Sequence, residues 1–92
     1  MRVTPDQMSA AASYIAREWG DYGYRITNIE SPTYLVSAFY VRHSDGSEFV
    51  ILADRWGNCR EVHDGQQQRT DAEFIAEMAR DMHADATDSI SS

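Results

Sequence analysis

The residues of this chain whose types could do chemistry are three histidines and one cysteine. His43, His63 and His83 fall in a predicted hairpin, at a predicted strand end and in a predicted helix. They lack the paired ligand spacing of a zinc site, so we expect surface positions for all three. The sequence therefore predicts no metal site and no cofactor.

Nucleophilic catalysis has two candidates, and each has a simpler explanation. Cys59 precedes Arg60, whose charge could lower the thiol pKa, yet a lone thiol beside a glycine turn is more typical of a packing residue. His63 and Asp64 have the composition of half a catalytic triad. Neighbouring strand residues point to opposite faces, however, and no serine in a nucleophile-elbow sequence accompanies them. We predict no catalytic residues and a protein that is not an enzyme.

The charge of the chain excludes further classes of function. Fifteen acidic residues stand against eight basic ones, the net charge is -7, and every basic residue is arginine. Without lysine the chain cannot form a lysine Schiff base. Because clustered positive charge supplies most of the affinity for nucleic-acid phosphates, we expect no direct nucleic-acid binding.

The length of 92 residues allows one domain with a single modest core. We place the domain at residues 1–88 and a flexible tail at residues 89–92. The longest apolar stretch is only a few residues, so neither a signal peptide nor a membrane-spanning segment is predicted, and no membrane partner. One thiol cannot form an internal disulfide and suits a reducing compartment, which favours a cytoplasmic location.

Two helices should flank the chain. The first is marked by Thr4, Pro5 and Gln7, which fit a capping box with proline at the first helical position, and it should end at Gly20. Its predicted core stripe consists of Met8, Ala12, Ile15 and Trp19, with Ala11 beside it. The second helix should begin at a capping box over residues 70–73 and fray near Ala86. Its predicted core face consists of Phe74, Ile75, Met78, Ala79 and Met82.

Four strands are predicted between the helices, because extended apolar runs alternate there with turn residues. Their predicted bounds are Tyr22 to Ile29, Tyr34 to Arg42, Glu48 to Asp54 and Cys59 to His63. Short connections favour antiparallel neighbours. The predicted fold is of the α+β class, in the order α-β-β-β-β-α, with a four-stranded antiparallel meander and both helices packed on one face.

The Asp45-Gly46 pair predicts a two-residue hairpin turn, which sets Val41 opposite Val50 and Phe39 opposite Leu52. Both faces of the sheet are then apolar. The predicted helix platform consists of Leu35, Phe39, Val41, Val50 and Leu52. The opposite face supplies the predicted interaction surface, which consists of Tyr34, Val36, Tyr40, Phe49 and Ile51.

This aromatic face should be buried against a protein partner or a second copy of the chain, most simply in a homodimer. Two other interpretations stay open. Loops or the N-terminal segment could cover the face, or a bulge could change the register.

The outer face of the second helix offers an alternative functional surface. Residues 71–88 include six acidic side chains and a single basic one, Arg80. Glu77, Asp81 and Asp85 could dock on a basic protein or imitate a phosphate backbone. A solvated face that keeps a small protein in solution is the interpretation we favour.

The stretch from Asp45 to Asn58, DGSEFVILADRWGN, together with the lysine-free composition, resembles the small orphan proteins of actinobacterial phages. The resemblance implies a small intracellular protein that binds a host or phage component. We predict a non-enzymatic binding or regulatory module that acts through protein contacts. The first alternative is an acidic inhibitor that imitates nucleic acid. The second is a small-molecule-binding or catalytic domain with its pocket between helix and sheet.

Overall fold

The structure is a computed structural model that describes residues 3–20, 23–65 and 67–91. Helix α1 (Pro5–Trp19) opens the chain and helix α2 (Ala72–Ser91) closes it. Between them lie β1 (Tyr24–Glu30), β2 (Val36–His43), β3 (Glu48–Asp54), β4 (Cys59–Glu61) and the short strands β5 (His63–Asp64) and β6 (Gln67–Gln68).

Strands β1 to β4 form one antiparallel sheet in chain order, and β5 pairs with β6 in a separate ribbon. The predicted α+β class and the predicted order of the main elements are confirmed. The fourth predicted strand ends early, at Glu61, and Tyr22, the predicted start of the first strand, lies outside the described residues. Within the described residues, neither helix is long and apolar enough to cross a membrane.

The helices lie on opposite faces of the sheet, so the prediction that both pack on one face is wrong. Helix α1 packs through Ala11 and Ile15 on what we call the α1 face. That face consists of Phe39, Val41, Phe49, Ile51 and Ala53. Helix α2 packs on the α2 face, which consists of Val36, Ala38, Val50 and Leu52. Because β2 and β3 are apolar at successive positions, each face must be withdrawn from water and takes one helix.

The connection between β2 and β3 is a three-residue loop and not the predicted two-residue turn. The backbone N–H of His43 donates to the Ser47 carbonyl at 2.9 Å, and that of Gly46 donates to the His43 carbonyl at 3.0 Å. Gly46 has a φ of +93°. This combination matches the three-residue hairpin in which a turn is followed by a glycine in the left-handed region.

The additional loop residue shifts the register between β2 and β3 by one position. Val41 lies opposite Phe49, and Phe39 lies opposite Ile51. Because side chains alternate along a strand, a shift of one residue moves every side chain of β3 to the other face relative to β2. The predicted pairs of Val41 with Val50 and of Phe39 with Leu52 are therefore wrong.

Strand β1 contains a bulge at Thr27. Ile26 lies opposite Val41 and Asn28 lies opposite Tyr40, so Thr27 is an extra residue in the ladder. The Thr27 hydroxyl donates to the Tyr40 carbonyl at 3.3 Å. The bulge explains how Ile26 and Ile29, three residues apart, both pack on the α1 face.

Helix α1 begins and ends as predicted, but its buried stripe is shifted. Thr4 and Gln7 form the capping box, and Gly20 caps the end with a φ of +81°. The buried residues are Gln7, Ala11 and Ile15, whereas Met8 is 40% exposed. Gln7 can be buried because its Nε2 donates to the Ala53 carbonyl at 3.0 Å and its Oε1 accepts from the Thr4 N–H at 3.0 Å.

Helix α2 is capped by Asp71, one residue later than predicted. Its Oδ2 accepts from the Phe74 N–H at 3.3 Å, and the hydrogen bond from Arg69 lowers the pKa of this carboxyl. The helix continues through Ser91, past the predicted end near Ala86. The first three residues of the predicted tail, residues 89–91, are therefore helical, and Ser92 lies outside the described residues.

Glu61 joins the end of α1 to β4. Its Oε2 accepts hydrogen bonds from the Tyr14 hydroxyl and from the Trp19 Nε1, both at 3.3 Å. The Trp19 ring also stacks on Phe49 with ring centroids 4.5 Å apart. Burial, followed by the charge and hydrogen bond of Glu61, raises the pKa of Tyr14 to about 12.

The raised pKa of Tyr14 predicts a loss of stability in strong alkali. A folded-state pKa above the unfolded value means that the fold favours the neutral phenol of Tyr14. The stability that the neutral phenol contributes is therefore complete below pH 10 and is lost as the pH rises towards about 12. Replacing Tyr14 with Phe should flatten the pH dependence of the unfolding free energy over this interval. Denaturant unfolding at a series of pH values measures it, with Glu61→Gln as an intermediate case. An unchanged slope in Tyr14→Phe would contradict the assignment.

The Gly46 conformation predicts a cost for any β-branched residue there. A Cβ at Gly46 would meet nothing within 4 Å, so the cost comes from backbone strain at positive φ and not from a clash. Gly46→Val should lower the unfolding free energy by about 1 kcal/mol or more, and Gly46→Asn by less, because asparagine tolerates positive φ. Thermal unfolding of both variants measures this difference. Equal melting temperatures for wild type and Gly46→Val would count against the turn.

Candidate functional site

The residues predicted to form the interaction surface do not share an exposed face. Phe49 and Ile51 are fully buried beneath α1, and Val36 is buried beneath α2. Tyr40 is half-buried on the α2 face, where its hydroxyl donates to Glu30 Oε2 at 3.1 Å. Of the five residues of the predicted surface, only Tyr34 is exposed. The prediction failed because the register is shifted by one residue and because each face carries its own helix.

The two exposed aromatic side chains of the described residues lie instead at one end of the sheet. Tyr34 is 72% exposed in the loop before β2, and Trp56 is 52% exposed in the turn after β3. These two segments are neighbours because Val36, at the start of β2, pairs with Asp54, at the end of β3. We call Tyr34, Arg55 and Trp56 the aromatic end.

The turn that carries Trp56 is held by the buried carboxylate of Asp54. Its Oδ1 accepts from the backbone N–H groups of Trp56 at 2.9 Å and Asn58 at 3.0 Å, and its Oδ2 accepts from Asn58 Nδ2 at 2.9 Å. Asp54 is only 2% exposed, so three donors compensate for the burial of its charge. Gly57 completes the turn with a φ of +86°.

The loop that carries Tyr34 is held by Thr33. The Thr33 hydroxyl oxygen accepts from the backbone N–H groups of Leu35 at 3.2 Å and Val36 at 3.1 Å. It also lies 2.9 Å from His83 Nδ1, and the His83 ring meets the Tyr34 ring edge-on at 5.1 Å. Helix α2 thus helps to fix the position of Tyr34 through His83.

Arg55 connects the two segments of the aromatic end. Its Nε donates to the Tyr34 carbonyl at 2.9 Å, which ties the β3–β4 turn to the β1–β2 loop. Among the described residues Arg55 forms no ion pair. The guanidinium retains further donors on an exposed surface.

A small polar cleft lies between the β3–β4 turn and α2. Its volume is about 130 Å³, below the size of typical small-molecule sites, and it is lined by Asp54, Asn58, Arg60, Met82, Asp85 and Ala86. Its charged groups bind one another: Arg60 Nη2 lies 2.6 Å from Asp85 Oδ2, and Asp54 binds Asn58. The polar groups therefore do not converge on the open space, which weakens the case for a ligand pocket here.

The acidic surface of α2 is less uniform than its sequence implies. Glu77 and Asp81 are exposed on the outer face, whereas Asp85 is paired with Arg60. An ion pair on one of the three carboxylates reduces the regular row of negative charge that phosphate mimicry needs.

The chemically reactive residues are dispersed. His63 is exposed in β5, whereas the side chains of His43 and His83 are largely covered, so the predicted surface position holds only for His63. Burial, followed by the charge of Asp54, raises the pKa of the Cys59 thiol, which opposes nucleophilic use. Residues 3–20, 23–65 and 67–91 contain no group of three or more side chains able to hold a metal ion.

The aromatic end belongs to an α+β protein whose four-stranded antiparallel sheet lies between two helices. Comparison of the chain with known protein families, with curated proteins and with solved structures finds no match. Function must therefore be argued from the residues themselves.

The hydrogen bonds of Asp54 predict that this residue holds the Trp56 turn in place. Asp54→Ala should lower the unfolding free energy by about 2 kcal/mol, because hydrogen bonds to a charged group contribute roughly 1.5–3 kcal/mol and water can reach the released donors. Asn58→Ala removes only one of the three bonds and should cost less. Denaturant unfolding, with tryptophan fluorescence as a local probe, measures both. Equal costs for the two variants would contradict this role of Asp54.

Proposed function

We propose that this protein is a small, non-enzymatic binding or regulatory module that contacts a protein partner through the aromatic end. The observation that carries the proposal is the exposure of Tyr34 and Trp56 on two neighbouring segments, which the hydrogen bond from Arg55 to the Tyr34 carbonyl ties together. Tryptophan, tyrosine and arginine are the residue types that most often dominate binding energy at protein interfaces. Apolar rings of this size lose water-exposed area only when a partner covers them.

The ordered backbone of the aromatic end favours binding. Asp54 fixes the backbone of the Trp56 turn, and Thr33 fixes the backbone of the Tyr34 loop. Ordering a mobile side chain at an interface costs about 0.5–1.5 kcal/mol, so segments that are already ordered lose less on association. The exposed donors of Arg55 suit a carbonyl or carboxylate group at the edge of the contact.

The resemblance of residues 45–58 to actinobacterial phage proteins adds a class of partner to the proposal, namely a component of the host cell or of the phage. Such a partner would be met in the cytoplasm, which is where we place the contact. The net charge of -7 favours a partner surface with basic groups around its apolar centre.

The test compares quantitative affinity capture, read by mass spectrometry, for the wild type and for Trp56→Ser and Arg55→Ala. Truncation of a hot-spot residue costs about 2 kcal/mol or more, so capture of the true partner should fall at least tenfold with Trp56→Ser. Arg17→Ala is the matched control, because Arg17 is exposed on α1 away from the aromatic end. Circular dichroism confirms that the variants are folded.

The same experiment separates the proposal from nucleic-acid mimicry. A triple variant, Glu77→Gln with Asp81→Asn and Asp85→Asn, should retain capture, since exposed charges contribute little individually. Loss of capture in the triple variant but not in Trp56→Ser would favour mimicry and defeat the aromatic end as the contact surface.

A further inference from the structure

Strand β1 forms the long open edge of the sheet. No strand of the described chain pairs with its outer side, whereas the opposite edge, β4, is only three residues long. An open edge presents a row of backbone donors and acceptors that another strand can use. Beside this edge lies a groove of about 450 Å³ lined by Met8, Ile26, Thr27, Asn28 and Ile29.

The two sides of β1 differ in chemistry. Ile26 and Ile29 lie on the α1 face beside the groove, where Met8 is 40% exposed. Arg25 lies on the α2 face, because it is the strand neighbour of Ile26, which is on the other face. Glu30 also lies on the α2 face, because it pairs with Ala38. Among the described residues, neither Arg25 nor Glu30 takes part in an ion pair.

The strand is complementary to a second copy of itself. In its ladder with β2, strand β1 leaves Thr27 unpaired as the bulge residue. If Thr27 is also unpaired on the outer side of β1, a two-fold axis at Asn28 relates two copies of the strand in an antiparallel ladder. The ladder places Ile26 opposite Ile29 and Arg25 opposite Glu30, and each pair occurs twice. Opposed residues then share a face throughout, as an antiparallel ladder requires.

We propose that two copies of this chain pair through β1 across a two-fold axis and form a continuous eight-stranded sheet. The two Arg25–Glu30 contacts give both charges a partner of opposite sign, and cross-strand pairs of opposite charge are stabilising. The Ile26–Ile29 contacts, together with Met8 from each copy, fill the apolar groove on the other side. The contact is isologous, so it closes as a dimer and does not propagate. It is separate from the aromatic end.

Charge reversal tests the pairing. Arg25→Glu sets glutamate against glutamate twice in its homodimer, and Glu30→Arg sets arginine against arginine twice. Each single variant should raise the dimer dissociation constant by about tenfold or more. An equimolar mixture of the two variants restores both opposite-charge contacts, so it should return to a species of twice the 10.4 kDa chain mass. Sedimentation equilibrium at micromolar concentration measures all three samples.

Arg80→Glu is the control for this experiment, because it makes the same charge change on the outer face of α2 and should leave the mass unchanged. A wild type that sediments as a monomer would overturn the proposal. It would do so even if the β1 edge pairs with a strand of a different protein. A mixture that stays as dissociated as its single variants would overturn it as well.

A cysteine cross-link tests the position of the axis. In a Cys59→Ser background, Asn28→Cys places two thiols directly opposite each other, and we expect a disulfide-linked dimer on oxidation. Ser31→Cys, at the exposed residue that follows β1, is the matched control, because Ser31 takes no part in the proposed contact. Its two thiols would be about 20 Å apart, six residues of extended chain, which is beyond disulfide reach. Equal cross-linking of both variants would contradict the proposed register.

Discussion

The register of the β2–β3 hairpin is the constraint on which the rest of the structure depends. It is set by three loop residues and by the positive φ of Gly46. With this register, Phe49 joins Phe39 and Val41 on the α1 face, and Val50 joins Ala38 on the α2 face. Burial of a large apolar side chain is worth about 1.5–3 kcal/mol, so neither face can be left in water and each requires a helix. The three-layer arrangement follows from the apolar residues at successive positions of β2 and β3, and the hairpin register decides which of these residues share a face.

Once both faces are covered, the parts of the sheet left for association are its ends and its edges. The loops at one end are organised by Asp54 and Thr33 and expose aromatic rings. The β1 edge is organised by the Thr27 bulge, which brings Ile26 and Ile29 to the same side. Bulges and charges on an edge strand reduce indiscriminate pairing. In the proposed dimer, an edge with both devices accepts only a strand whose charges and apolar residues match it.

Features determined by neighbouring residues could be predicted from the sequence, and features determined by distant ones could not. The capping box of Thr4 and Gln7, the Gly20 cap and the left-handed Gly46 each depend on a few adjacent residues. The loop length at Gly46 depends on which register buries both faces best, which is a property of the whole sheet. The β1 bulge had a sequence signal that was missed: isoleucines three apart in a strand need one extra residue to share a face.

The candidate site shows the same division. Tyr34 could be predicted as an interface residue because tyrosine is common at interfaces. The exposure of Trp56 could not be predicted, because it depends on the turn whose backbone Asp54 holds by hydrogen bonds. A tryptophan next to arginine in a turn, with no place in either core stripe, was the available signal. In the proposed dimer the β1 strands are antiparallel, so the two aromatic ends lie at opposite ends of the joined sheet, on the order of 40 Å apart. A small partner cannot contact both, and the expected assembly has one partner per chain and not one partner bridging the pair.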